Sequence, residues 1–345
     1  MQREARKLAT SNVIYLCLLL RLEGLRDNAC SLEASVTYFY MKVSLITVDY
    51  NNAALTVALL HSLRKIRLRY SLEVIVVDNG SRVNAEDAIR AAYPEVKFVR
   101  SEHNLGFAGG NNLGIQEATG DYLFFINNDT ELREDVIAPL VETLEQHPEI
   151  GLLCPEIRYF DYPDTVQYLG FTPMNRVTGR NRCLTTRQAD TPGLISTSFP
   201  HGAAMMVPRA VVEQVGSMPE LFFLYYEEHD WAEMIRRAGY HLAVLPDVVV
   251  YHKESRSVSK INALKMYFMT RNRLLFMRRN YGGISLSLFW LYFFLVASPK
   301  HLLTLILRRD WDNIQAFSAG VRWNFTSSTR CDRIGYKFDH LRTSS

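Results

Sequence analysis

Residues 41–255 predict an α/β domain built on a doubly wound, mostly parallel sheet, and residues 256–345 predict a helical C-terminal appendage. Three observations carry this. Short apolar runs alternate with stretches of helical periodicity, as expected of a sheet whose crossovers are helices. The apolar runs at 43–48, 74–77 and 121–126 end on acidic or amide residues, which places those groups at one rim of a parallel sheet. Beyond residue 255, arginines alternate with large apolar side chains, and a long uncharged stretch follows.

The run Val43 to Val48 reads as a buried first strand ending at Asp49-Tyr50-Asn51-Asn52, and residues 54–66 carry apolar positions at helical spacing. The strand Val74 to Val77 ends on Asp78-Asn79-Gly80-Ser81. A helix near 84–92, a strand at 96–100 and a glycine-rich helix start at 107–118 follow. The strand Tyr122 to Ile126 closes this half on Asn127-Asn128-Asp129-Thr130, at a division expected near residue 130 between the first half of the domain and the second (131–255). Glu134 to Gln146 reads as a helix stopped by Pro148. Residues 158–200 are weakly periodic and rich in Thr, Pro, Arg and Tyr, an excursion suited to an acceptor site or lid. Strand character returns at His201 to Val207 and from Ala243 to Tyr251, ending at His252. Between them, Glu227-Glu228-His229-Asp230 opens a helix that runs to Arg237 before Gly239.

The chain has 345 residues, is 48% apolar and 22% charged, and carries a net charge of +3. That charge is uneven: residues 253–345 sum to +11, leaving −8 for the rest. A basic tail on an acidic body points to an anionic partner such as a phospholipid surface or a diphosphate-linked lipid. Five scattered cysteines, without a CxxC pair, argue against a disulfide framework and a structural zinc site and fit a reducing cytosol. Residues 1–40 read as an N-terminal extension ahead of Met41; the short apolar run Val13 to Leu20 has no clear cleavage site behind it. Asn280 to Pro299 carries no charge, and its most apolar part, Ile284 to Ala297, spans about 21 Å as a helix, short of a bilayer. Lying in the membrane interface is therefore the expectation, with packing on the catalytic domain as the alternative.

Several residues could do chemistry. Asp78 at a strand end could accept hydrogen bonds from a base or ribose, or cap its own turn. Glycines 106, 109, 110 and 114 let a backbone approach a ligand and start a helix against it. Asp129 could hold a hard divalent cation, which often takes one or two protein carboxylates and completes its shell with phosphate and water. Glu227 and Glu228, as neighbours, would tend to raise one of the two pKa values; the helix macrodipole alone would also favour acids there.

In combination, Asp78-Asn79-Gly80-Ser81, Asn104 through Asn112, Asn127-Asn128-Asp129, Glu227-Glu228-His229-Asp230-Trp231 and Ile235 to Tyr240 resemble the motifs of a family-2 glycosyltransferase, over roughly residues 42–280. The resemblance is closest to the rhamnosyltransferase-like subgroup. It implies a GT-A fold and inverting, metal-assisted transfer of a sugar from a nucleoside diphosphate to a hydroxyl. It assigns donor binding to Val48, Tyr50, Asn51, Asp78, Asn79, Asn104, Gly106, Phe107, Gly110, Asn111 and Asn128. Mg²⁺ or Mn²⁺ falls to Asp129 with His252, although Asn127 stands where the metal motif usually has its first acid. The catalytic base falls to Glu228, with Glu227 and Asp230 as alternatives. The implied donor is dTDP-rhamnose, and the implied acceptor is a glycan or polyprenyl-diphosphate-linked saccharide of a bacterial surface polysaccharide such as O-antigen or cell wall. The implied place is the cytoplasmic face of the inner membrane, with peripheral contact through the C-terminal region and no nucleic acid.

Other classes fit less well. A sugar-nucleotide-binding protein with a decayed site would not need the carboxylates at 129 and 227–230. A nucleotidyltransferase would show a glycine and a basic residue after the first strand, where Asp49 to Thr56 has neither. A nicotinamide site would place GxGxxG after that strand. A Ser-His-Asp hydrolase would show a GxSxG elbow. Another hexose donor remains compatible with every motif.

Overall fold

The computed structural model describes residues 41–187, 193–253 and 262–338. The N-terminal extension, with Val13–Leu20, Cys17 and Cys30, and the expected boundary at 255/256 lie outside the described residues. The first half alternates as expected: β1 (Lys42–Asp49), α1 (Ala53–Arg64), β2 (Ser71–Asp78), α2 (Glu86–Ala92), β3 (Lys97–Arg100), α3 (Gly106–Glu117) and β4 (Tyr122–Ile126). β1 is parallel to β2 on one side and to β4 on the other, and β2 is parallel to β3. The chain therefore winds outward from β1 through β3, then crosses back to β4. Asp49 pairs in register with Asp78, so the ends of β1 and β2 share one rim with Asn127 after β4. This is the switch point where open α/β sheets bind ligands. Helices cover both faces of these strands, which explains their continuous apolar runs: Val43, Leu45, Ile46, Val74 to Val77 and Leu123 to Phe125 are all at most 1% exposed.

The second half comprises β5 (Thr130–Glu131), α4 (Ile137–Gln146), β6 (Ile150–Tyr159), β7 (Val166–Tyr168), β8 (Ile195–Ser196), β9 (Ala204–Pro208), α5 (Arg209–Val215), α6 (Glu227–Arg237) and β10 (His241–His252). The sheet runs β3-β2-β1-β4-β9-β6-β10-β5, with β7 on β6 and β8 on β10. β9 is antiparallel to β4 and to β6, while β6 and β10 are parallel to each other. The central strand β6 is absent from the sequence reading, because Pro155 interrupts it and proline is rare in central strands. The fold accommodates it at an irregularity: the β6/β10 register shifts between Leu245 and Val249, directly after the Pro155 pair. The excursion at 158–200 is partly ordered β-structure, with a turn closed by Phe171↔Cys183 and Asn175↔Arg180 bridges. Cys154, Cys183 and Cys331 are free thiols.

The C-terminal region forms α7 (Ala263–Asn280), α8 (Gly283–Leu307) and α9 (Trp311–Thr326). Two expectations change here. The arginines of α7, counted in the basic tail expected to face an anionic partner, are partly consumed inside the fold: Arg271 is fully buried, Arg278 donates to Asn324 and to the Ser327 carbonyl, and Arg279 pairs with Asp230. The apolar helix also does not stop near Pro299. A π segment, Phe293–Ala297, precedes the proline and absorbs its missing N–H, so α8 continues for 25 residues. At about 37 Å it is long enough to cross a membrane. One face, with Phe289, Phe293, Ser298 and Leu305, is buried on the protein; Ile284, Leu291, Leu295, Leu303 and Leu307 are exposed by 57–80%.

Candidate active site

Three strand ends and one glycine loop are tied together by side chains. Asp49 closes β1 and accepts from Thr56 Oγ1 at 2.7 Å and from Asn128 Nδ2 at 3.1 Å. Its other oxygen lies 3.4 Å from Ser81 Oγ, so one buried carboxylate spans the ends of β1, β2 and β4. Asn79 links β2 to the glycine loop, donating to Asn104 Oδ1 and the Gly106 carbonyl and accepting from Leu105 N. Gly106 sits at φ +75°, and a Cβ there would lie 2.2 Å from the Phe223 carbonyl oxygen, whose lone pair instead accepts from Phe107 N. Only glycine allows the loop to approach so closely.

These ties frame a cavity of about 400 Å³. Of the residues assigned to the donor, Val48, Tyr50, Asn79, Asn104, Gly106, Phe107, Asn111 and Asn128 line it, together with Asp129. Three do not. Asp78 takes the turn-capping role, accepting from Ser81 N at 2.8 Å and pairing with Arg100 at 3.1 Å, because the side chain turned toward the loop is that of its neighbour Asn79. Asn51 ties two loops, its side chain accepting from Arg82 N. Gly110 packs behind the cavity, where a Cβ would meet Val48 Cγ1 at 2.9 Å.

Asp129, after β4, lies with its Oδ1 3.2 Å from Nε2 of His252, which ends β10. The other nitrogen of His252 is held by Gln167 at 3.0 Å, which fixes the ring toward Asp129. Burial works to raise the Asp129 carboxyl, but the hydrogen bond and charge of His252 carry it below its ordinary value. The described residues contain no cluster of three or more protein metal ligands. One carboxylate and one imidazole at this spacing nevertheless suit a cation whose shell is completed by diphosphate and water.

The carboxylates of α6 divide into separate roles. Asp230 lies on the face of α6 that packs on α7 and is held by Arg279, at 2.8 Å, and by Asn280. It is committed to this contact, as Glu233 is to Arg236 at 2.6 Å, which leaves Glu227 and Glu228. Glu227 is 3% exposed; burial, reinforced by the charge of Glu228, pushes its carboxyl well above the ordinary value. Burial also works to raise Glu228, but hydrogen bonding and charge from His229 bring it below. The two neighbouring carboxyls are thus driven in opposite directions, Glu227 upward and Glu228 downward. His229 Nδ1 lies 3.4 Å from Glu228, while its Nε2 meets the Asn181 amide nitrogen at 3.2 Å. Phe199 stacks on His229 with ring centroids 4.4 Å apart.

Between the two acidic centres stands His201. Its ring lies 5.8 Å from that of His252, and burial lowers its pKa to about 4, so it is neutral. Just before α6 the backbone is strained: Phe223, Tyr225 and Tyr226 all adopt positive φ, of 65°, 68° and 75°. Asn272 of α7 holds this turn, donating from Nδ2 to the carbonyls of Phe222, Leu224 and Tyr225 at 2.7–2.9 Å. Arg271 donates to the Leu221 carbonyl and packs 3.9 Å over Trp323. Sequence reasoning missed Asp49, His201, Asn181, Arg271 and Asn272. Only Asp49 had a local signal, its place directly after the first strand.

The family model for glycosyl transferase family 2 matches residues 44–216. Relatives include a low-salt glycan biosynthesis hexosyltransferase of Haloferax volcanii, 25% identical over 73% of this chain and 79% of the relative. An N-acetylglucosaminyl-diphospho-decaprenol L-rhamnosyltransferase of Mycobacterium tuberculosis is 25% identical over 61% of this chain and 76% of its own. A dTDP-rhamnosyl transferase of Shigella flexneri is 24% identical over 73% and 89%. Among solved structures, a mannosyltransferase from Pyrobaculum calidifontis in complex with GDP-Man and Mn²⁺ superposes with a TM-score of 0.52 at 17% identity, over 93% of this chain and 98% of that one. The sheet order and the helical C-terminal region accord with that GT-A architecture. With its family motif spanning the strand-end rim, the glycine loop and Asp129, the chain belongs to glycosyl transferase family 2.

Proposed function

We propose that the protein transfers a hexose from a nucleoside-diphosphate donor to a hydroxyl of a polyprenyl-diphosphate-linked saccharide, with inversion, at the cytoplasmic face of the inner membrane. The observation that carries the chemistry is the buried pair on α6: Glu228, 3.4 Å from His229 Nδ1 and lowered by it, beside Glu227, whose carboxyl burial raises. Glu228 takes the proton of the acceptor hydroxyl as that oxygen attacks the anomeric carbon from the face opposite the leaving group. The nucleotide and sugar occupy the cavity bounded by Asn79, Asn104, Phe107 and Asn111. Asp129 and His252 would hold a divalent cation, Mg²⁺ or Mn²⁺. When bound, it would neutralise charge developing on the departing diphosphate.

Rhamnose from dTDP-rhamnose is the leading donor, supported by the Mycobacterium and Shigella relatives. The lipid-linked acceptor is supported by the Mycobacterium relative and by the exposed apolar face of α8, which suits lying in a membrane interface. The Haloferax hexosyltransferase, equally similar, supports a second reading with another hexose donor. A panel of nucleotide sugars, each with Mg²⁺, Mn²⁺ or EDTA, tests this through thermal shift and nucleoside-diphosphate release. One preferred donor with metal-dependent release is expected. Donor binding without release, even with lipid-linked saccharides supplied, would overturn the transferase reading.

A further inference from the structure

A second cavity, of about 390 Å³, lies between the Arg180–Asn181 segment, Tyr226, α7 and α8. Its lining is amphipathic. Arg180, Lys265, Arg273 and His301 supply nitrogen donors, while Met266 and Phe293 are among its apolar walls, and no Asp or Glu contributes. Arg273 spends Nη2 on the Thr178 carbonyl at 2.6 Å, while its buried Nε has no hydrogen-bond partner. Burial, followed by the charge of Arg180, lowers the guanidinium pKa, and both arginines act on His301 in the same sense after burial. The cations thus sit close enough to repel one another, with no lining carboxylate between them. Such a set fits the oxygens of a phosphate or diphosphate, which guanidinium groups bind in paired, charge-assisted contacts.

The cavity is also placed between the base and the apolar helix. Tyr226 immediately precedes Glu227 and Glu228, and Asn181 contacts the His229 that faces Glu228. On the other side, Phe293, Ala297 and His301 line it from α8, whose outer face exposes Leu291 and Leu295. We propose that this cavity holds the diphosphate end of the lipid-linked acceptor, with Arg180, Lys265 and Arg273 gripping its oxygens and the hydrocarbon leaving along α8. This rests on the acceptor class assigned above. A diphosphate here would bring the first sugar beside Glu228 and fix the lipid's exit on the membrane side.

The test uses the full chain in detergent with saturating nucleotide, so that the donor cavity is filled. Binding of farnesyl diphosphate and of inorganic diphosphate is measured for the wild type and for Arg180→Ala/Lys265→Ala, both partly exposed positions, with the melting temperature recorded for each. Farnesyl diphosphate should bind more tightly than inorganic diphosphate, and the double variant should weaken it on the order of tenfold or more, with nucleotide affinity unchanged. Equal farnesyl diphosphate affinity in both proteins overturns the site. Equal affinity for the two diphosphates reduces it to an anion site and overturns the lipid assignment. Transfer onto a lipid-diphosphate saccharide with variant-insensitive binding removes the site but leaves the reaction standing. Site-dependent binding without any transfer does the reverse.

Discussion

Asn272→Ala tests how the C-terminal helices take part in catalysis. The wild-type amide donates to three carbonyls of a turn in which Phe223, Tyr225 and Tyr226 hold positive φ, and its oxygen accepts from Arg271 at 2.6 Å. Each such hydrogen bond contributes about 1 kcal/mol net, and stranding buried carbonyls costs more. Strain of about 1–3 kcal/mol per left-handed aromatic is then no longer opposed. Loss of the amide should therefore cost roughly 2–4 kcal/mol and let the turn relax. Because that turn leads directly into Glu227 and Glu228, the base would move, and a displacement of about 1 Å can cost on the order of a hundredfold in rate. Steady-state kinetics with the preferred donor should show kcat falling roughly a hundredfold, with donor KM changing little, since only Phe223 and Leu224 of this turn line the donor cavity. A kcat within about threefold of wild type would refute the idea that α7 positions the base.

Other outcomes follow from the same geometry. Gly106→Ala should weaken nucleotide binding and lower the melting temperature, because its Cβ would clash with the Phe223 carbonyl at 2.2 Å; calorimetry with nucleotide checks this. Asp129→Ala should abolish transfer and remove the response of the melting temperature to Mn²⁺ plus nucleotide; a retained response would place the metal elsewhere. Glu227 has a raised carboxyl, so the folded state holds a proton that the unfolded chain gives up above its ordinary glutamate value; the folded state is penalised as pH rises past that value. Glu227→Gln should therefore stabilise increasingly as pH rises above the ordinary glutamate value, by up to about 1.4 kcal/mol per pH unit, read from urea melts across pH. Glu228 has a lowered carboxyl, so its ionised form, and activity that depends on it, should persist until pH falls below the ordinary glutamate value. An acid limb of kcat/KM near neutrality would contradict that assignment.

The donor side was legible because its signals are local. Strands buried on both faces read as apolar runs with polar residues at their ends, and these ends, together with the loop that the family resemblance picked out, bring Asn79, Asn104, Asn128 and Asp129 to one cavity. Asp78 shows where that logic stops: the strand end was right, but whether a side chain faces ligand or its own turn depends on which neighbour turns toward the loop. The base side was only half legible. Glu228 sits in a motif, whereas Asn181, His201 and Asn272 reach it from separate parts of the chain, with no shared periodicity to announce them. The α7 arginines misled for a related reason. In sequence they count toward a basic tail suited to an anionic partner, and only packing reveals that Arg271, Arg278 and Arg279 are consumed by carbonyls, Asn324 and Asp230. Pro155 lies inside β6 and Pro299 inside α8, beside a strand irregularity and a π segment that local patterning does not announce.

The central claim is that Glu228, its carboxyl lowered beside the raised carboxyl of Glu227, accepts the proton of the attacking hydroxyl. Comparing kcat for Glu228→Gln and Glu227→Gln, with donor binding verified in each, tests it most directly. The account predicts that Glu228→Gln loses on the order of a thousandfold or more, and that Glu227→Gln, which removes the carboxyl not assigned the proton transfer, stays within about tenfold of wild type. Near-normal turnover in Glu228→Gln, or a collapse confined to Glu227→Gln, would contradict it.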